Sequence, residues 1–211
     1  MTGGGGGGIG IGEVLLETAR LRLRRFTEAD ADALVELDSD PAVMRYLTGG
    51  RPTLAEVVRA EVLPRLLTGY DRHPGMGRWA ATDRATGSFL GWFALDAEAA
   101  DASRGGTAGQ AELGYRLRRA GWGRGLATEG SRALVRYGFT TLGLRRIWAE
   151  TMAVNVASRR VMEKAGLRYV RTFHLDWDDP IEGTEHGEVE YELLRDEWDA
   201  GQGRAAALRA R

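Results

Sequence analysis

Three groups of residues have the types and spacing that chemistry requires. The first is ELGYRLRRAGWGRGLATEG, Glu112 to Gly130, where Gly121, Gly123 and Gly125 precede a helical pattern. Glycines let the backbone turn tightly and approach a ligand closely. The start of a helix offers unpaired N–H groups and a partial positive charge, which suits a pyrophosphate. Arg118, Arg119 and Arg124 add side-chain charge. The spacing G-x-G-x-G matches neither the Walker loop G-x-x-x-x-G-K-[ST] nor the dinucleotide fingerprint G-x-G-x-x-G. Taken alone, the loop is equally a tight connection that binds nothing.

The second group lies in NVASRRVMEKAGLRYV, Asn155 to Val170. Asn155 stands where a strand gives way to a helix, the place of an N-cap. Ser158 falls in the first turn, where hydroxyls also serve local hydrogen bonds. The third group is a set of carboxylates able to take a proton from an amine: Glu112 before the glycine loop, and Glu188 and Glu190 near the end. Glu188, Glu190 and Glu192 alternate with Val189 and Tyr191, so they read equally as the solvent face of an edge strand. Asp176 through Glu192 carry eight acidic residues and no Lys or Arg. Such a run is a hydrated loop or a negative rim that steers a cation.

The elements that position these groups follow from periodicity. LRLRRF, Leu21 to Phe26, alternates as a half-buried strand. Thr27 with Asp30 makes a capping box for a helix burying Ala31, Leu34, Val35 and Leu37. Thr53 and Glu56 open a second helix to about Tyr70, kinked by Pro64. A hairpin turns at Arg84–Gly87, and Ala111 to Arg118 is a further strand. A helix over Leu126 to Leu142 stops at Gly143; strand RRIWAETMAV, helix Asn155 to Ala165 and strands RYVRTFHLDW and GEVEYELL complete the chain. Hairpins with one β-α-β crossover imply an α+β fold on a mixed sheet. One domain is expected over 13–199, with a flexible glycine-rich stretch 1–12 and a flexible tail 200–211.

Composition excludes several alternatives. The chain of 211 residues has no cysteine, so a thiol nucleophile, disulfides and thiolate metal sites are out. Its three histidines (His73, His174, His186) lack metal-ligand spacing, and no metal is expected. A net charge of −1 gives no general attraction to nucleic acid or membrane. No apolar run reaches the roughly 18–20 residues of a membrane span. No signal peptide is recognisable, and a cytoplasmic location is the expectation.

Together, the glycine loop and the asparagine–serine helix resemble the GCN5-related N-acetyltransferase (GNAT) superfamily, in its RimJ/RimL-like branch. WGRGLATE is similar to the pyrophosphate motif [QR]-x-x-G-x-[GA], with Trp122 at the usual Gln or Arg position. N-x-x-S-R-R-V-M-E-K-A-G-L is similar to the helix that follows, and the match runs from about Glu17 to Trp198. The resemblance implies a mostly antiparallel six- to seven-stranded sheet flanked by helices and splayed between its fourth and fifth strands. Acetyl-CoA would be the co-substrate, with its pantetheine arm in the gap.

By that resemblance Tyr115, Arg116 and Leu117 line the arm, and Arg118 lies at the entrance to the loop. Gly123, Arg124, Gly125, Leu126, Ala127 and Thr128 meet the pyrophosphate. Asn155 bonds the arm, and Arg159, Arg160 or Lys164 reaches the 3′-phosphate. Met162 occupies the place of the family's usual tyrosine acid, so the resemblance passes that role to Ser158 and names Glu112 as base. The implied acceptor is a primary amine, a cationic peptide or protein N-terminus, with a polyamine or aminoglycoside as alternatives; a homodimer is also implied. A CoA- or acyl-CoA-binding regulatory module and a nucleotide-binding enzyme are the competing readings.

Overall fold

The computed structural model describes residues 12–97 and 109–209, with side chains as far as Gly203. The expected glycine-rich stretch 1–12 therefore lies outside the described residues except for Gly12, as does the alanine–glycine loop before Gly109. Strands β1 (Val14–Glu17), β2 (Leu21–Arg24), β3 (Gly77–Asp83), β4 (Phe89–Asp96), β5 (Gln110–Leu117), β6 (Arg146–Met152), β7 (Arg168–Phe173) and β8 (Glu188–Leu194) form one sheet. Their order is β1-β2-β3-β4-β5-β6-β8-β7. Every pairing is antiparallel except β5 with β6. The mixed α+β sheet is as expected, with β1 as an added eighth strand that joins β2 through an irregular register.

The helices are α1 (Ala31–Ser39), α2 (Pro41–Thr48), α3 (Ala55–Val57), α4 (Leu63–Arg72), α5 (Leu126–Thr140), α6 (Val156–Ala165) and α7 (Arg195–Arg209). One face of the sheet packs Leu23, Phe93, Leu113, Ile147 and Tyr191 against Leu134 and Phe139 of α5 and Met162 of α6. The other face packs Ala80 with Phe26, Leu34, Val58 and Leu63, beside Trp92. The alternation in β2 is obeyed, with Leu21 and Leu23 fully buried. Arg24 then grips Asp30 through two hydrogen bonds of 2.7 and 2.8 Å, fixing the turn into α1 together with the Thr27 capping box.

Three local differences have physical causes. The kink expected at Pro64 appears as a π-helical turn, Val58–Val62, whose wider winding precedes the proline at the start of α4. The segment Pro41–Thr48 is a separate helix, capped by Asp40 and ended by Gly49 in the left-handed region. Residues 200–209, expected as a tail, continue α7, whose Trp198 ring lies 5.4 Å from Phe139.

Candidate active site

Strands β5 and β6 pair only through Gln110–Arg146, Ala111–Ile147 and Glu112–Trp148. Beyond those rungs, among the described residues, β5 is held only by β4, and β6 only by β8. One backbone edge from Leu113 to Leu117, and one from Ala149 to Met152, thus lack a neighbouring strand. A strand edge of this kind is a row of N–H and C=O groups able to bind an extended amide-bearing chain. The glycine loop and the start of α5 follow β5, and the start of α6 follows β6.

The loop is built on glycine for a steric reason. Gly123 (φ 69°) and Gly125 (φ 77°) occupy the left-handed region that L side chains rarely adopt. The first helical bond of α5 runs from the Glu129 N–H to the Gly125 carbonyl, so the N–H groups of Leu126, Ala127 and Thr128 lie ahead of it. Arg20, from the β1–β2 turn, braces the loop: it donates to the Arg124 carbonyl at 2.8 Å and meets Glu129 at 2.6 Å. Burial pushes the Glu129 carboxyl up, but hydrogen bonds from Thr18 and Arg20 outweigh it and hold the group below its usual range. One turn later Gly130 lies against Phe93, where an added Cβ would sit 2.3 Å from the ring.

The expected basic residues divide. Arg116 is bound to Asp38, Arg118 to Glu36 at 2.7 Å and Arg119 to Asp40 at 2.6 Å, so their guanidinium groups tie β5 and the loop to α1 and to the cap of α2. Leu117 is buried in the core, while Arg124 lies exposed on the loop. Arg159 donates to the Tyr191 hydroxyl at 3.2 Å and the Ala153 carbonyl at 3.0 Å, closing the β6–α6 turn. Lys164 lines a cleft of about 560 Å³ with Arg20, Gly125, Thr128, Arg132 and Arg136. Arg20, Arg132 and Arg136 were missed from sequence. The last two share a helical face with Thr128, a signal open to detection, whereas Arg20 is joined to the loop only by folding.

Asn155 caps α6 by accepting from the Ser158 N–H at 3.2 Å and donates to Thr151 Oγ1 at 3.1 Å. Tyr115 reaches from β5 to α6, its hydroxyl 2.8 Å from Ser158 Oγ and 3.0 Å from the Ser158 carbonyl. Burial pushes the Tyr115 phenol up to about 12, so it is neutral at physiological pH. The pair therefore presents two neutral hydroxyls between strand and helix.

The carboxylates need a correction. Strand β8 is not at the edge: it lies between β6 and β7, and its glutamates are not solvated. Glu190 is 1% exposed and Glu188 is 7% exposed. Glu190 is bound by Arg146 and Arg171, and Glu192 by Arg146 and Arg168. The misreading arose because period-2 alternation reports two faces without saying whether both are covered. Register places Glu112 beside Trp148, Trp148 beside Glu192 and Glu150 beside Glu190. All of these carboxylates project from the sheet face opposite α5 and α6. The acidic run is thus split: Asp179 pairs with Arg51 across the surface, while the β8 glutamates turn inward. Among the described residues no group of three or more His, Cys, Asp or Glu is placed to hold a metal, and no helix is long and apolar enough to cross a membrane.

This geometry agrees with what known proteins show. The acetyltransferase (GNAT) domain family matches residues 20–168. FsC-acetyl coenzyme A-N(2)-transacetylase of Aspergillus fumigatus is 38% identical over 184 residues, 87% of this chain and 77% of that protein. A GNAT-family acetyltransferase structure from Bacillus anthracis superposes with a TM-score of 0.66 at 25% identity, covering 86% of this chain and 98% of the other. RimL, the ribosomal L7/L12 α-N-protein acetyltransferase, in complex with coenzyme A, gives a TM-score of 0.67 at 19% identity, covering 88% and 99%, a likeness of fold. The chain belongs to the GNAT family and is an acetyl-CoA-dependent N-acetyltransferase.

Proposed function

We propose that this enzyme transfers acetyl from acetyl-CoA to a primary amine by direct attack, both substrates being bound together on opposite sides of the sheet. The observation that carries the reading is the separation of β5 from β6 beyond Glu112, with a glycine-capped helix start following one of the two strands. The free edges of Leu113–Leu117 and Ala149–Met152 supply backbone partners for the pantetheine amides. The loop from Gly123 to Thr128 holds the pyrophosphate, and Lys164 with Arg132 and Arg136 supplies positive charge for the 3′-phosphate. No residue forms a covalent intermediate, which agrees with a chain free of cysteine.

Ser158 is proposed to donate the proton that the departing thiolate needs, recovering the one that the amine nitrogen sheds as the amide forms. Tyr115 orients that hydroxyl through its 2.8 Å contact. Glu112 is proposed as the base that neutralises the incoming ammonium; a lysine-like amine, pKa about 10.4, is otherwise almost wholly protonated at neutral pH. A peptide or protein α-amine is the acceptor suggested by the RimL-like fold. A second reading takes the acceptor from the 38%-identical relative, whose name specifies the N(2) position of FsC. Free-thiol release should be followed with acetyl-CoA and a panel of FsC, triglycine, spermidine and kanamycin. Release with one class establishes the reading and names the acceptor. Tight acetyl-CoA binding with no release from any amine would favour a binding module instead.

A further inference from the structure

Among the described residues, Glu188 is a buried acid with no counter-charge bound to it. It is 7% exposed, and its Oε1 is fully buried without a hydrogen-bond partner. The neighbouring charges explain why this is unusual. On the same strand Glu190 has Arg146 and Arg171, and Glu192 has Arg146 and Arg168. Glu188 instead feels Glu150 of β6, a second negative group. Past the end of β7, exposed His174 bonds the Glu185 carbonyl. Ahead of β8 the loop carries exposed Glu182 and Glu185. Burial and then Glu150 push the Glu188 carboxyl above its ordinary range.

The position is as informative as the charge. Glu188 pairs in register with Met152, the last residue of β6, and Glu150 lies on the part of β6 released from β5. Both project from the face opposite α5 and α6. A buried anion without a partner is costly, and a cation that donates hydrogen bonds to it removes the cost.

We infer that Glu188, with Glu150 beside it, binds the positive charge of the acceptor, so that the substrate class is a cationic amine entering from the α1 face of the sheet. This rests on the acetyl-transfer reading above and deepens it: acetyl-CoA is held from the side of α5 and α6, and the acceptor's charge from the other. The acceptor-recognising acid is thus inside the sheet rather than on the exposed Asp178–Asp179 loop.

The test compares wild type with Glu188→Gln, using whichever panel amine the wild type turns over fastest. The glutamine keeps the shape and removes the charge. The expected result is a rise of about tenfold or more in the KM of the amine, the loss of one charge-assisted hydrogen bond. kcat should change little, acetyl-CoA should bind as before, and Glu188→Asp should recover part of the loss. Because the folded pKa is raised, ionised Glu188 costs the wild type stability as pH rises through that pKa, so the variant should melt no lower than wild type above it. An unchanged amine KM overturns the inference. A lowered Tm accompanied by equal loss of acetyl-CoA and amine binding also overturns it, assigning Glu188 a structural role. A wild type that releases no thiol with any amine overturns the acetyl-transfer reading, and this inference falls with it.

Discussion

The two sides of the separated strands manage charge differently. On the β5 side, charges are matched one to one: Arg116 with Asp38, Arg118 with Glu36, Arg119 with Asp40, and Arg20 with Glu129. On the β6–β8 side, Glu190 and Glu192 share three arginines, while Glu188 has none among the described residues. The first arrangement fixes a loop whose proposed pyrophosphate contacts are backbone groups, so its side chains are left to brace it. The second leaves an acid in a dry place, an arrangement whose cost is relieved by taking up a proton or by a positive ligand.

The comparison can be broken most severely at the hydroxyl pair between the two sides. Ser158→Ala should lower kcat about a hundredfold or more, the scale of a lost general acid, with acetyl-CoA affinity retained. Pre-steady-state thiol release checks it, and near wild-type turnover would remove Ser158 from the mechanism. Next comes Arg146→Met, which takes from Glu190 and Glu192 the arginine they share. Breaking a buried pair costs about 3–5 kcal/mol, and denaturant unfolding should show a loss approaching that, softened by the remaining arginines.

On the braced side, Gly130→Ala drives a methyl into Phe93 and should cost about 1–3 kcal/mol by overpacking. Acetyl-CoA affinity should fall with it, because α5 must shift; calorimetry of binding and melting tests both. A smaller effect is expected from pH. Burial raises the Asp30 carboxyl, yet the Arg24 hydrogen bonds and the Thr27 N–H outweigh it and hold the group below its ordinary range. The ion pair therefore contributes fully above the unfolded pKa, about 3.9, and is lost as pH falls through the lower folded value. Asp30→Asn should flatten the acid limb of the stability curve. Smallest of all, Glu36→Gln at an exposed pair should change stability by about 1 kcal/mol or less.

Much of this was legible in the chain. The glycine loop, the Asn155 cap, the Thr27 capping box and the alternation of β2 are local patterns, and each local pattern folded as its periodicity or cap chemistry requires. The burial and pairing of the β8 glutamates were not legible. A run of alternating acids looks the same on an edge strand and on one enclosed between two neighbours.

By itself, the sequence determined strands β2 to β8, the helices after β2, β5 and β6, the glycine-led start of α5, and a chemistry without thiols. These depend on residue type and on contacts within a few positions. The tertiary structure alone decided that β8 enters between β6 and β7, that Tyr115 meets Ser158 across 43 residues of chain, and that Glu188 is buried with no counter-ion among the described residues. Those outcomes depend on which distant segments become neighbours, and burial acquires its electrostatic meaning only when the neighbours are known.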